Sequence, residues 1–163
     1  MPIPVTLKER IHTDVTAAMR SGDALRRDTL RMAENAIYNA EKRDRRTYSD
    51  DEVVAILARE VKTRGESVEA FRSAGREDLA SKEEAEIAIL QGFLPERLTD
   101  AEVAALIDEA IAATGASGAR ELGKVMGWLA PRTRGRADGK VVSGLVAQRL
   151  AQADVAGHDG GTH

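Results

Sequence analysis

A chain of 163 residues with 42% hydrophobic but only 3% aromatic side chains can bury an aliphatic core, and the absence of cysteine excludes a disulfide, a cysteine-ligated metal and a thiol nucleophile. The 24 Lys and Arg residues stand against 27 Asp and Glu, so a chain that is basic throughout is excluded. No stretch approaches the roughly 18 apolar residues of a membrane span, and the first residues lack a secretory pattern. We therefore expect a cytoplasmic protein without a membrane partner.

Residues 1–95 predict a bundle of about four helices, some of them long. Apolar residues recur at three- and four-residue spacing and nowhere alternate as in a strand. The third helix, for example, is predicted to bury a stripe of Val53, Leu57, Val61, Arg64 and Val68. The first three helices begin with residues whose side-chain oxygen can cap a helix: Thr6, Asp23 and Ser49. The fourth spans about 77–94, and the following proline ends it.

Residues 96–152 predict a small domain of three short helices, so the fold class is all-α. Thr99 caps the first of these helices, Ser117 the second and Asp138 the third, while Pro131 ends the second. We expect Gly123 and Gly127, four residues apart, to let another helix approach closely. Residues 153–163 have nothing to bury and are predicted to form a disordered tail.

Charge changes along the chain. Residues up to Leu94 contain sixteen basic and eighteen acidic residues, and residues 95–114 contain one and five. From residue 115 to 150 the balance reverses to seven basic residues against two acidic ones. The basic residues of this last segment are Arg120, Lys124, Arg132, Arg134, Arg136, Lys140 and Arg149. A positive field confined to one segment favours an anionic partner, with nucleic acid the first to consider.

The candidate RNA-binding residues surround the short helix before Pro131 and the loop after it. They are Arg120, Lys124, Trp128, Arg132, Arg134, Gly135, Arg136 and Lys140. If the apolar side chains of this helix face a core, the residues spaced by four form a basic stripe on another side, with an exposed indole. Cations neutralise phosphates and an indole can stack on an unpaired base, a combination suited to flexible RNA regions.

A structural interpretation of the same residues stays open. Arg132 and Arg134 would then complement the negative end of a helix, Gly135 would allow a turn, and Trp128 would lie between the two domains. The arginines of the second helix have acidic neighbours, which favours an ordinary salt-bridged face there.

The sequence contains no recognisable catalytic, metal or cofactor site. The three histidines are not at metal-binding spacing, and we expect surface roles for them. Carboxylates such as Glu83, Glu84 and Glu86 are expected on solvated faces.

Two groups of motifs resemble a known family. The run from Gly123 to Asp138, Gly-Lys-Val-Met-Gly followed by Arg-Gly-Arg-Ala-Asp, is similar to the tail domain of the B subunit of glutamyl-tRNA/aspartyl-tRNA amidotransferase. Segments 60–64, 69–79 and 84–95 resemble the stand-alone YqeY proteins that share this tail. The resemblance covers about residues 7–150 and implies two helical subdomains. In the amidotransferase the tail contacts the tRNA elbow, and catalysis belongs to regions that this chain lacks.

Three functions follow as expectations. The first is an accessory module that binds tRNA or another structured RNA. An alternative is a part in carbon-nitrogen ligase activity, with glutamine as amide donor, together with amidotransferase-like partner subunits. The third is a purely structural adaptor whose open helix faces bind other proteins, with translation proteins among the candidate partners.

Overall fold

The computed structural model describes residues 5–158, and this range is helical with no strand. It contains seven α-helices and one short 3-10 helix, which confirms the all-α prediction. The chain divides into two compact units, Met1–Pro95 and Glu96–His163. No helix in the described range is long and apolar enough to cross a bilayer.

The N-terminal unit consists of four helices around an aliphatic core. They are α1 (Leu7–Ser21), α2 (Ala24–Asp44), α3 (Asp50–Ser73) and α4 (Glu77–Gln91). Each helix supplies a side chain with no exposed area: Ile11, Leu30, Leu57 and Leu90. The core therefore lies where the predicted apolar stripes of all four helices meet.

Side-chain caps define where these helices begin. The oxygens of Thr6, Asp23 and Ser49 each accept a hydrogen bond from a backbone N–H in the first turn of the following helix. Each such cap contributes about 1 kcal/mol to stability. The three predicted starts are confirmed.

The fourth helix ends earlier than the proline pattern suggested. It stops at Gln91, and the N–H of Phe93 then bonds the carbonyl of Leu90 in a tighter turn. This turn carries the Phe93 ring into the core, where it is 8% exposed. Burial of an aromatic ring outweighs one more helical hydrogen bond, which accounts for the early end.

A buried ion pair joins α3 to α4. The guanidinium of Arg64 bonds the carboxylate of Glu86, and both residues are more than nine-tenths buried. Arg64 also lies 3.5 Å from Glu83, and its Nε has no hydrogen-bond partner in the described range. The expectation that Glu86 lies on a solvated face is wrong, because Arg64 on the inward stripe of α3 requires a carboxylate partner. Burial raises the pKa of Glu86 above its usual value, and the nearby Arg64 opposes that rise.

The C-terminal unit has its own core. Its elements are α5 (Asp100–Thr114), a 3-10 turn (Ala119–Glu121), α6 (Leu122–Thr133) and α7 (Gly139–His158). The side chains at its centre are Ile107, Val125, Leu129, Val146 and Leu150, each at most 2% exposed. Three α-helices packed on one aliphatic cluster leave their other faces to solvent.

Three boundaries of this unit differ from the predictions. Ser117 caps no helix, because the segment after it forms the 3-10 turn before α6. Pro131 lies inside α6 and not at its end. The hydrogen bond that a proline cannot donate would reach the carbonyl of Gly127, which is exposed, so water can replace it.

The third difference concerns the expected disordered tail. Residues 153–158 continue α7, and the carboxylate of Asp154 accepts a hydrogen bond from the N–H of Ala119 at 3.0 Å. This long-range contact stabilises the last turns of the helix. The rest of the expected tail, residues 159–163, lies outside the described residues.

Removing one partner of the buried pair is predicted to destabilise the protein. Arg64→Met leaves the Glu86 carboxyl in the core without its cation, and we expect a loss of about 3 kcal/mol in the free energy of unfolding. The double variant Arg64→Met/Glu86→Leu removes both charges and should recover to within about 1 kcal/mol of the parent. Urea unfolding followed by circular dichroism measures both values. A double variant as unstable as the single one would contradict this account.

Candidate nucleic-acid interface

The predicted basic stripe lies along one side of α6 and continues into the turn before it. Arg120 lies in the 3-10 turn, and Lys124, Trp128 and Arg132 follow at intervals of four residues on α6. The residue after each of these three positions on α6 is buried: Val125, Leu129 and Thr133. The stripe therefore runs along the edge of the buried face, at a rise of about 6 Å per step.

The cations of this unit are almost free of carboxylate partners. Among the eight Lys and Arg residues from Glu96 to residue 158, only Arg149 forms an ion pair within the described range, with Asp108. In the N-terminal unit half of the sixteen Lys and Arg residues form such pairs. Five candidate cations are exposed and unpaired in the described range: Arg120, Lys124, Arg132, Arg134 and Lys140. Their charge is available to an external anion.

The turn between α6 and α7 places two of these cations. Gly135 has φ of +72°, a left-handed conformation that glycine adopts without strain. Arg134 immediately precedes it, and Lys140 lies in the first turn of α7. The Asp138 carbonyl accepts the N–H of Val142 at 3.0 Å, and its carboxylate accepts the N–H of Lys140 at 2.9 Å, so Asp138 begins α7 as predicted.

Arg136 has a structural contact that the sequence did not suggest. Its Nε donates to the carbonyl of Glu96 at 2.9 Å, and its own carbonyl accepts the N–H of Leu98 at 2.8 Å. These two bonds attach the start of the unit to the turn after α6. Arg136 is only partly exposed, unlike the five free cations. No local pattern signals this role, because its partners lie about forty residues away.

Trp128 is not the freely exposed indole that the stripe suggested. It is half-buried and packs against the core of the C-terminal unit. The guanidinium carbon of Arg132 lies 3.6 Å from the centre of its ring. An arginine one turn along the helix therefore covers part of the indole surface.

A second correction concerns the glycines of α6. Side chains placed at Gly123 or Gly127 would meet no atom within 4 Å, and both positions are exposed. The predicted close approach of another helix is therefore wrong within the described residues. A close contact occurs instead at Gly118, before α6, and it involves a side chain. A Cβ there would collide with the carboxylate of Asp154, which bonds the next residue.

The N-terminal unit contains a groove between α1 and α2. Its volume is about 440 Å³, and His12 and Glu34 line it with Nδ1 and Oε1 2.8 Å apart. The sequence placed His12 at the surface, which is confirmed, but no signal linked it to a carboxylate 22 residues later. Neither a serine nor a cysteine lines the groove. No group of three or more metal-ligating side chains occurs in the described range.

Fold and surface together define a class: two-unit helical proteins whose C-terminal unit presents unpaired cations. The sequence also identifies the family, because residues 8–150 match the model of the Yqey-like protein family. The chain belongs to this family.

Two relatives show the range of similarity. One is the altered inheritance of mitochondria protein 41, mitochondrial, of Pyrenophora tritici-repentis, which is 34% identical over 137 residues, covering 82% of this chain and 75% of the relative. The other is the uncharacterised protein C22F3.15 of Schizosaccharomyces pombe, 38% identical over 72 residues. That match covers 44% of this chain and 58% of the relative.

The contact of Arg136 predicts a difference between two neighbouring arginines. Arg136→Met removes the bond to Glu96 and should lower the free energy of unfolding of the C-terminal unit by about 1 kcal/mol. Arg134→Met, at an exposed position without such a bond, should change it by less than about 0.5 kcal/mol. Trp128 is the single tryptophan of the chain, so its fluorescence during urea unfolding follows this unit. Equal effects of the two substitutions would argue against the structural role.

Proposed function

We propose that this chain binds structured RNA through its C-terminal unit, with transfer RNA as the ligand. The observation that carries the proposal is the set of exposed cations without a carboxylate partner in the described range: Arg120, Lys124, Arg132, Arg134 and Lys140. Phosphate contacts made by such side chains release counterions and supply most of the affinity of RNA-binding proteins. The rest of the chain is acidic enough to give a net charge of −3, so an RNA would be directed to the basic segment 115–150.

The choice of transfer RNA rests on the resemblance of residues 123–138 to the amidotransferase tail. The match of residues 8–150 supports the resemblance to the YqeY proteins, and the step from that family to the amidotransferase tail is part of the proposal. The name of the Pyrenophora relative concerns inheritance of mitochondria and assigns that protein to the organelle. We retain the cytoplasm as the predicted compartment of this chain. The compartment should be determined in the same experiments that identify the bound RNA.

The adaptor alternative has one observation in its favour. Met19, Met32 and Tyr38, on α1 and α2, are each more than half exposed. A contiguous apolar patch of several hundred Å² around them would favour contacts with protein. Participation in glutamine-dependent amide transfer rests on family resemblance alone and requires amidotransferase-like partner subunits; co-purification of an amidase-like protein would support it.

Charge reversal tests RNA binding. We expect the logarithm of the association constant for unfractionated transfer RNA to fall linearly with the logarithm of KCl concentration, with a slope of about −0.7 to −0.9 per phosphate contacted. Lys124→Glu/Arg134→Glu should reduce the affinity more than tenfold and make the slope shallower by about two. Fluorescence anisotropy of labelled RNA measures both quantities.

A matched control separates the site from overall charge. Arg59→Glu/Lys62→Glu changes the net charge by the same amount, at positions of the N-terminal unit that are exposed and form no ion pair within the described range. It should leave the affinity within about twofold, because neither residue belongs to the proposed phosphate-binding surface. A flat salt response of the parent, or equal losses in the two double variants, would defeat the proposal.

A further inference from the structure

Arg132 and Trp128, one turn apart on α6, lie in direct contact. The guanidinium carbon lies 3.6 Å from the ring centre, which is the separation of two groups in van der Waals contact. An arginine approaching the ring edge-on would point a nitrogen at it and hold the carbon further away. The short distance therefore indicates that the guanidinium plane lies flat on the indole.

One further contact holds the arginine in this position, and the packing of Trp128 holds the indole beneath it. The guanidinium donates to the carbonyl of Trp128, in the preceding turn of the same helix. The indole beneath it is half-buried against the core of the unit and cannot follow an arginine that moves away. Arg132 is itself exposed and has no ion-pair partner in the described range. A planar cation is thus held with one face on the indole and the other toward solvent.

We propose that Arg132, supported by Trp128, forms a stacking platform for an unpaired RNA base. Guanidinium planes stack on bases as aromatic rings do, and each base offers a π-face whatever its identity. Lys124 lies about 12 Å from Arg132 along α6, and Arg134 lies two residues after Arg132. These two cations could contact the phosphates on either side of the stacked base. The inference rests on the proposed function and specifies it: the ligand is RNA with an accessible unpaired base, and uniform duplex is disfavoured.

This assignment gives Arg132 a role different from that of the other cations. A residue that only neutralises phosphate can be replaced by lysine, which keeps the charge. A residue that stacks cannot, because the ammonium group of lysine has no plane. The platform therefore predicts that Arg132→Lys affects which RNA is preferred, while Arg134→Lys affects neither preference nor affinity strongly.

The experiment compares two RNA probes and three full-length proteins. The probes are a hairpin with an unpaired loop and a blunt-ended duplex of the same stem, each titrated against the parent, Arg132→Lys and Arg134→Lys. The parent should bind the hairpin more tightly than the duplex, and Arg132→Lys should reduce that preference about tenfold, within the range for loss of one base-stacking side chain. Arg134→Lys should keep the preference. The salt slope should stay the same in all three, because no charge is lost.

Fluorescence provides a second reading. Trp128 is the single tryptophan, so its emission should change when the hairpin binds the parent and should respond less to the duplex. If the parent binds transfer RNA but neither probe, the platform is overturned and the proposed function stands; if it binds neither probe and no transfer RNA, the proposed function fails. If it binds both equally, or if the two lysine variants lose preference alike, RNA binding stands and the platform is overturned.

Discussion

The attachment of Arg136 to residues 96–98 is the contact on which the basic surface depends. Two hydrogen bonds, one through its side chain and one through its carbonyl, hold the turn between α6 and α7 against the beginning of the unit. Arg134 precedes this residue by two positions and Lys140 follows it by four. Because the turn is held from within, these cations project from a fixed backbone, and ordering them would cost a ligand less entropy than ordering a free loop.

The two units use charge in opposite ways. In the N-terminal unit many cations are held by carboxylates, and the Arg64–Glu86 pair is even buried between two helices. Such pairs at the surface add little stability, yet they cancel the field that a polyanion would sense. In the C-terminal unit the acids are concentrated on α5, and Asp108 is the one that pairs with a cation within the described range, so the aliphatic core supplies cohesion with little help from ion pairs. Because the apolar core stabilises this unit almost without ion pairs, most of its arginines and lysines are available to bind a partner.

Local patterns predicted the helical fold well, and long-range contacts explain the differences. Capping residues and apolar stripes depend on neighbours within one or two turns. The caps Thr6 and Ser49 and the inward position of Arg64 could therefore be predicted from the sequence. The partner of Arg64, by contrast, lies 22 residues away on another helix. The candidate cations were recognisable from composition, but the structural bond of Arg136 and the covering of Trp128 by Arg132 depend on three-dimensional packing.

The contact between Asp154 and the segment at Gly118 links the stability of two distant places. In most helices the last turns open and close freely without affecting the rest of the molecule. Here opening the end of α7 would release the N–H of Ala119, just before Arg120. Motion at the far end of the chain would thereby loosen the first cation of the stripe, so a protein fused or docked at that end could alter the basic face without touching it.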